Sequence, residues 1–286
     1  MSDVTVIGLG NMGAALARGL MGAGRSVTVW NRSPERVGLL VAEGADRAAS
    51  LEAAISASDI VLSCVSNQVA TAEILGPVAG ALAGKVVVDL SSGNAASSEA
   101  LAKLVEGAGA GWVMGMINGY PDDIGGEGTA ILCAGPAADW ARVEGVVGQL
   151  GGASQKIGEA ATAVAGLFAA MFTARQAFLF GLSYGAAVCR KAGLPVEALF
   201  RQNDVTLGMV RAYAEMCGRS VPGQRYDGSA APLSNYLGAL EDALATFEAT
   251  GTDARLPRLM RDLAVRAVEE GLGDKELSVL TEMLAG

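Results

Sequence analysis

Short apolar runs alternate with helix-type patterns through the first half of the chain. The first run, 4–7, leads into a glycine-rich turn, and a helical pattern over 14–23 follows. Such alternation is typical of a parallel sheet with helices on both faces. It predicts a doubly wound, mainly parallel α/β domain with further strands at 27–30, 59–65, 86–90, 112–117, 130–134 and 154–157. Helices are expected between them, at 34–43, 51–57, 69–82, 97–107 and 139–150.

The strand signals stop after residue 158, and the rest of the chain reads as helix with short breaks. The stretch 160–188 is almost continuous in apolar and small residues, but Arg175 and Gln176 interrupt it near its middle. A charge at mid-span is rare in membranes, so we expect a long helix buried on most sides between two domains or two subunits. The predicted division is an α/β domain over 1–158, an interdomain helix over 159–190 and a helical domain over 191–286.

The composition predicts a sizeable core and an acidic surface. Of 286 residues, 51% are hydrophobic, and the formal net charge is −9. Because nucleic acids require a basic face, they are not expected as partners. The first strand follows the N-terminus directly, so we expect no signal peptide. We also expect a cytoplasmic location and no metal site. The cysteines lack a C-x-x-C spacing and are expected to be reduced: Cys64, Cys133, Cys189 and Cys217.

The turn after the first strand carries the most informative chemistry. It reads Gly8-Leu9-Gly10-Asn11-Met12-Gly13, between a strand and a helix. In a dinucleotide-binding turn the first glycine makes the tight turn, the second leaves room for the pyrophosphate, and the third lets the helix pack against the strand. The N–H groups at the helix N-terminus then face the phosphates. We therefore predict a dinucleotide site here.

The end of the second strand indicates which dinucleotide is bound. An NAD site of this type has an acidic residue there, which bonds the ribose 2′-hydroxyl. This chain has no carboxylate at that point and instead reads Asn31-Arg32-Ser33, with Arg36 nearby. Guanidinium and hydroxyl groups suit a 2′-phosphate, so we predict NADPH, although a solvated loop capped by Ser33 is the alternative. Further cofactor contacts are expected where later strands end, at Cys64, Val65, Ser66 and Ser91.

Several motifs resemble a known group of enzymes. G-L-G-N-M-G at 8–13, V-W-N-R-S at 29–33 and D-L-S-S-G at 89–93 resemble the β-hydroxyacid dehydrogenase superfamily, which includes the 6-phosphogluconate dehydrogenases. The segment G-Y-P-D-D-I-G at 119–125 is more specifically similar to imine reductases and reductive aminases. The resemblance covers essentially the whole chain. It implies a Rossmann domain, an all-α domain for dimerisation and substrate binding, and a homodimer with reciprocal domain exchange that acts on a small-molecule imine.

The resemblance also locates a catalytic position near the start of the long helix. Hydroxyacid dehydrogenases have Lys there, and imine reductases usually have Asp or sometimes Tyr. Alignment through Gly185 and 192–194 places Phe168 at this point. Phenylalanine cannot transfer a proton, and the chain has no histidine. The catalytic residue is therefore left unknown, with Tyr120, Asp204 and Tyr236 as candidates.

These observations favour NADPH-dependent reduction of C=N bonds. An iminium ion already carries its proton or charge, so it needs mainly alignment, exclusion of water and a cavity that accepts a cation. Phe168 and Phe172 share one helix face, where they either line the pocket or pack in the core. Residues expected to bind the substrate are Ser92, Asn94, Tyr120, Phe168, Phe172, Gln176 and Met209. Two alternatives stay open: a hydroxyacid dehydrogenase-type oxidoreductase and a non-catalytic NADPH-binding homologue.

Overall fold

The computed structural model describes all residues, Met1–Gly286, in two compact units, Met1–Phe172 and Thr173–Gly286. The first unit contains one eight-stranded sheet. Its strands are β1 (Val4–Ile7), β2 (Val27–Trp30), β3 (Asp46–Arg47), β4 (Ile60–Ser63), β5 (Val86–Asp89), β6 (Gly111–Asn118), β7 (Ala130–Ala134) and β8 (Gln155–Gly158). Its helices are α1 (Asn11–Gly22), α2 (Glu35–Ala42), α3 (Leu51–Ser56), α4 (Gln68–Leu75), α5 (Ala95–Gly107) and α6 (Ala137–Leu150).

The order of the strands defines where a ligand can bind. The sheet runs β3-β2-β1-β4-β5-β6-β7-β8, so the chain builds outward from β1 on one side and crosses back to β4 on the other. All neighbouring strands are parallel except β6 and β7. In such sheets ligands bind beyond the carboxyl ends of the strands at this crossover. The prediction of a doubly wound, mainly parallel sheet is confirmed.

Helices cover both faces of the sheet because successive strand residues point to opposite sides. Val86 and Val88 belong to the cluster that contains buried residues of α1 and α6. Val87, between them, belongs to the cluster that contains buried residues of α3, α4 and α5. These two apolar layers fix the strand ends from which the site is built.

The first unit differs from the predicted elements at three places. The expected helix over 69–82 ends at Leu75 and continues as a 3₁₀-helix, Gly76–Leu82, because Pro77 cannot donate to a helical ladder. Strand β3 was not predicted; it is a two-residue, exposed edge strand with charged side chains. Strand β7 runs antiparallel to β6 because only a short segment connects the two strands.

The second unit is entirely helical apart from one isolated bridge. After the end of α7 (Ala163–Lys191) come α8 (Val196–Phe200), α9 (Asn203–Ser220), α10 (Leu233–Ala249), α11 (Arg255–Glu269) and α12 (Leu280–Ala285). The buried core of this unit is small and consists of Tyr226, Leu233, Ala264, Ala267, Val279 and Met283.

The long helix α7 begins in the first unit and ends in the second. Only Val164 of its 29 residues is buried, so a single chain does not provide the burial on most sides that we predicted. By length and composition alone the helix is able to cross a membrane. Core helices of soluble proteins meet the same two criteria. Length and composition therefore do not distinguish a membrane-spanning helix from a helix packed against protein.

Candidate active site

The glycine turn after β1 has the geometry that a dinucleotide requires. Gly8 has a φ of +89°, and a Cβ there would overlap the Cys64 carbonyl oxygen, while a Cβ on Gly13 would overlap the Gly8 carbonyl oxygen. At Gly10 a Cβ would meet nothing closer than the Arg36 Nη1 at 3.8 Å. Backbone packing therefore requires Gly8 and Gly13, whereas Gly10 leaves open space.

The open space lies at the N-terminus of α1. Gly10 is the N-cap of this helix, and no side chain caps it. The first N–H groups of a helix have no partner within the helix, and the helix dipole places partial positive charge at the same end. This end of α1 is therefore suited to hold a phosphate or pyrophosphate.

Asn31, at the end of β2, holds the glycine turn in place. Its Oδ1 accepts a hydrogen bond of 2.9 Å from the Leu9 N–H, and its Nδ2 donates to the Ser33 carbonyl at 2.9 Å. The Arg36 Nη1 donates to the Leu9 carbonyl at 3.4 Å. The turn and the loop after β2 therefore form one hydrogen-bonded unit.

These elements surround a cavity of about 940 Å³ beyond the strand ends, hereafter the larger cavity. Of the predicted cofactor residues, all but Ser91 line it: Gly8, Leu9, Gly10, Asn11, Met12, Gly13, Asn31, Arg32, Ser33, Arg36, Cys64, Val65 and Ser66. The rest of its wall was not among the predicted cofactor-binding residues and comprises Trp30, Asn67, Val69, Ala70, Glu73 and Ile74. Most of these residues lie on α4. Among them the apolar Val69 is 56% exposed, which is consistent with a surface that a ligand covers.

A second cavity of about 300 Å³, hereafter the smaller cavity, lies beside the first. Met12, Cys64 and Val65 line both cavities. The predicted residues Ser91, Ser92 and Phe168 line the smaller cavity. The remaining wall was not indicated by the sequence and consists of Gln68, Leu90, Gly93, Ser98, Gly115, Met116, Ile117, Val164 and Ala165. The smaller cavity is therefore mostly apolar, with a polar strip from the end of β5 and the start of α4.

The polar strip rests on a buried hydrogen-bond network. The Ser91 hydroxyl donates to Asp89 Oδ1 at 2.9 Å and accepts from the Val65 N–H at 3.0 Å. The Thr71 hydroxyl also donates to Asp89 Oδ1 at 2.9 Å. Burial raises the pKa of Asp89 to about 6, against the lowering effect of these hydrogen bonds.

The smaller cavity has no acid or base in its wall. Its only titratable wall group is the Cys64 thiol, whose pKa is raised to about 12 by burial and by the charge of Asp89. Phe168 is 40% exposed and contributes its ring to the wall. Its ring stacks with that of Phe172, with centroids 5.2 Å apart. Phe168 therefore faces a cavity and not the core.

Three other predicted residues of the first unit line neither cavity: Phe172, Asn94 and Tyr120. The Asn94 side chain accepts a hydrogen bond from the Ser97 N–H and caps α5, which gives it a structural role. Tyr120 is 78% exposed at the start of a 3₁₀-turn, Pro121–Asp123.

The remaining candidates belong to the helical unit. Gln176 lies on α7, Asp204 in the first turn of α9, Met209 further along α9, and Tyr236 on α10. Asp204 is exposed, and Met209 is 69% exposed. Both cavities described above are lined by residues of the first unit, so the roles of these four residues stay predictions.

A Rossmann-type sheet with a glycine turn, a basic strand end and an adjoining apolar cavity defines a dinucleotide-dependent oxidoreductase. Comparison with known proteins identifies the family. Residues 3–163 match the NAD-binding domain of 6-phosphogluconate dehydrogenase, and residues 157–286 match the C-terminal domain of NADPH-dependent reductive aminase-like proteins. The NADPH-dependent reductive aminase of Aspergillus oryzae is 24% identical, over 98% of this chain and 96% of its own length.

Solved structures extend the similarity to the whole fold. The reductive aminase of Aspergillus terreus, in complex with NADPH and ethyl levulinate, is 30% identical with a TM-score of 0.87. The imine reductase of Myxococcus stipitatus, in complex with NADP+, is 28% identical with a TM-score of 0.90. Each comparison covers 99% of both chains. The chain belongs to the imine reductase and reductive aminase family of NADPH-dependent oxidoreductases, and the predictions of family, enzyme class and cofactor are confirmed.

Proposed function

We propose that the protein uses NADPH to reduce the C=N bonds of cyclic imines and iminium ions, within a homodimer that exchanges domains. One observation carries the choice of substrate: the smaller cavity adjoins the dinucleotide cavity, and its wall offers no acid or base. A substrate that needs no proton from the enzyme fits such a cavity best.

The residues of the larger cavity fit NADPH. The N-terminus of α1 and the open space at Gly10 suit the pyrophosphate. Arg32, Ser33 and Arg36 suit a 2′-phosphate, which no carboxylate at the end of β2 opposes. When bound, NADPH supplies a hydride to the carbon of the C=N bond, so that the iminium becomes a neutral amine and the nicotinamide becomes the cation.

The walls of the smaller cavity exclude water and accept a cation. Leu90, Met116, Ile117 and Val164 are apolar and leave little room for solvent beside a bound substrate. The Phe168 ring offers an aromatic face, to which a cation is attracted by the ring quadrupole. We therefore assign positioning and shielding, and no proton transfer, to this wall.

Exposed apolar surface supports the homodimer. In the helical unit, Phe180 is 61% exposed, Val205 64% and Met209 69%. Exposed apolar patches mark interaction surfaces, and α7 is a long apolar helix of which a single chain buries only Val164. We propose that the helical unit of a second copy covers α7 and completes each active site.

The proposal is tested by turnover with a substrate panel. Purified protein is mixed with NADPH and five- and six-membered cyclic imines, and with NADP+ and β-hydroxyacids in parallel, while cofactor absorbance is followed. We expect oxidation of NADPH with the imines alone. Turnover of hydroxyacids alone would support the dehydrogenase alternative, and tight NADPH binding without any turnover would support a non-catalytic homologue.

A further inference from the structure

Asp89 is an anomaly in the first unit. It ends β5, has no exposed surface, and forms no ion pair. Two hydroxyl groups donate to its Oδ1, whereas its Oδ2 has no hydrogen-bond partner. A buried carboxylate without a cation is costly, and an unsatisfied buried polar atom requires an explanation.

The position of Asp89 supplies that explanation. Ser91, whose hydroxyl lies 2.9 Å from Asp89 Oδ1, is itself part of the wall of the smaller cavity. Asp89 is therefore one hydrogen bond behind the wall. Its charge reaches Cys64, a residue shared by both cavities, because after burial it is the second cause of the raised pKa of that thiol.

The network also excludes Asp89 and Ser91 as a proton-donating pair. The Ser91 hydroxyl has a single proton, and its oxygen accepts from the Val65 N–H at 3.0 Å. That proton is therefore directed to the Asp89 carboxylate and away from a ligand. What the pair offers the cavity is a fixed negative charge.

We propose that Asp89 is the counter-charge of this active site and stabilises a cation where the two cavities meet: the iminium ion before reduction and the oxidised nicotinamide after it. The part concerning the iminium rests on the proposed function, whereas the part concerning the nicotinamide requires only that the cofactor binds. The groups that face Asp89 are Thr71, Ser91 and Gln68, which are neutral, and Cys64, which is a thiol at the pH of the assays.

The same charge selects among substrates. Reduction of a carbonyl develops negative charge on oxygen, which a buried carboxylate disfavours at short range in a medium of low dielectric constant. Reduction of an iminium develops no anion. Asp89 therefore favours C=N over C=O substrates without touching either.

The test compares binding of the two cofactor forms. Dissociation constants of NADP+ and NADPH are measured by rapid-mixing fluorescence at pH 7.5 for wild type, Asp89→Asn and the control Ser63→Ala. Ser63 is buried beside Thr71 in the same network, at 3.2 Å, but carries no charge. The 2′-phosphate titrates near pH 6, but it does so in both cofactor forms. The dissociation constant of NADP+ divided by that of NADPH therefore reports only the effect of the charge on the nicotinamide.

We expect Asp89→Asn to weaken NADP+ relative to NADPH by about tenfold, a change of about 1.4 kcal/mol, and Ser63→Ala to leave the ratio unchanged. A structural role for Asp89 would weaken both forms alike, and an unchanged ratio in Asp89→Asn overturns the proposal. Should that variant fail to fold, the wild-type ratio is measured from pH 7.5 to 5.0. The dissociation constant of NADP+ divided by that of NADPH should then rise as Asp89 becomes protonated, and a constant ratio contradicts the charge.

A second measurement concerns the substrate. An N-methylated cyclic iminium keeps its charge at every pH, so its KM changes only with the enzyme. We expect this KM to rise about tenfold in Asp89→Asn, within the range for opposite charges at close distance. If no imine is turned over at all, the proposed function fails while the cofactor ratio still decides the role of Asp89. If imines are turned over and neither the ratio nor this KM changes, only the inference on Asp89 fails.

Discussion

The Asn31 Oδ1 accepts a hydrogen bond from the Leu9 N–H at 2.9 Å. The end of the second strand thereby fixes the conformation of the glycine turn, 22 residues earlier in the chain. Both ends of the Asn31 amide are held by the backbone, because its Nδ2 donates to the Ser33 carbonyl. The residue therefore organises the cofactor site, and its contribution to specificity is the absence of a negative charge.

Substitution at Asn31 separates these two effects. Asn31→Ala removes the bond to Leu9 and should weaken NADPH and NADH alike, by about fivefold, since one hydrogen bond is worth roughly 1 kcal/mol. Asn31→Asp keeps an acceptor for the Leu9 N–H but places a carboxylate beside the 2′-phosphate. It should therefore weaken NADPH and leave NADH binding nearly unchanged. Equilibrium titration with both cofactors checks this, and equal losses in Asn31→Asp would contradict it.

Arg32 should carry the preference for NADPH. Arg32→Ala removes a charge-assisted interaction with the 2′-phosphate and should raise the NADPH dissociation constant by roughly tenfold or more, with NADH unaffected. The matched control is Arg142→Ala, whose guanidinium lies on α6 outside both cavities and donates to the Gly84 carbonyl. The preference should also decrease with added salt. Equal affinity for NADPH and NADH in the wild type would refute the assignment.

Phe168 is the position from which the wall can acquire an acid. We expect Phe168→Asp to support reduction of a protonatable imine at higher pH, because a carboxylate in the wall stabilises the protonated imine and raises its pKa. Phe172→Asp, one turn further on and outside the cavity wall, is the control and should not extend the profile. The pH dependence of kcat/KM with a cyclic imine is measured for all three proteins. Loss of stability without a changed profile in Phe168→Asp would indicate a packing role.

The buried charge of Asp89 should also appear in the pH dependence of stability. Because the pKa of Asp89 is about 6 in the folded protein and 3.8 without burial, the folded state binds more protons between these values. Stability is therefore lost as pH rises from about 4 through about 6. Relative to Asp89→Asn, the wild type should lose about 3 kcal/mol over this range, at about 1.4 kcal/mol per pKa unit. Urea denaturation of both proteins from pH 4 to pH 7.5 measures the difference, and parallel curves would refute it.

Domain exchange predicts that two inactive chains restore activity together. Arg32→Glu impairs the cofactor cavity, and Met209→Arg alters the helical unit. If each site combines the two units from different chains, the heterodimer contains one site with both units intact. Co-expressed and doubly tagged heterodimers should then show about half of the wild-type activity per dimer, as two-fold symmetry requires. An inactive heterodimer of normal mass would exclude exchange.

Local sequence signals predicted the elements that depend on few neighbours. The glycine turn and the β-branched strands around Val4 and Val86 are specified by backbone geometry and burial, so the Rossmann unit and its cofactor cavity follow from the chain. The role of Asp89 does not, because a strand-terminal Asp reveals its burial only once β4, β6 and α4 surround it. The role of Asn94 could not be predicted either. A polar side chain just after a strand either binds a ligand or caps the next helix, and only the structure shows that Asn94 caps α5.

Helix α7 was harder to assign for another reason. Its apolar sequence predicts burial, but a single chain buries only Val164 of it. Local periodicity does not encode which surface, if any, the remaining residues such as Phe180 pack against. Sequence patterns therefore predict a helix buried between two domains or two subunits, and they do not distinguish these two possibilities.

The wall shared by Met12, Cys64 and Val65 has a consequence for redesign. Enlarging either cavity at these positions alters the fit of both ligands, so a change in substrate range there is accompanied by a change in cofactor affinity. Met116, Ile117 and Phe168 line the smaller cavity alone. A mutational library restricted to those three positions would vary the range of substrates while leaving the dinucleotide pocket unchanged.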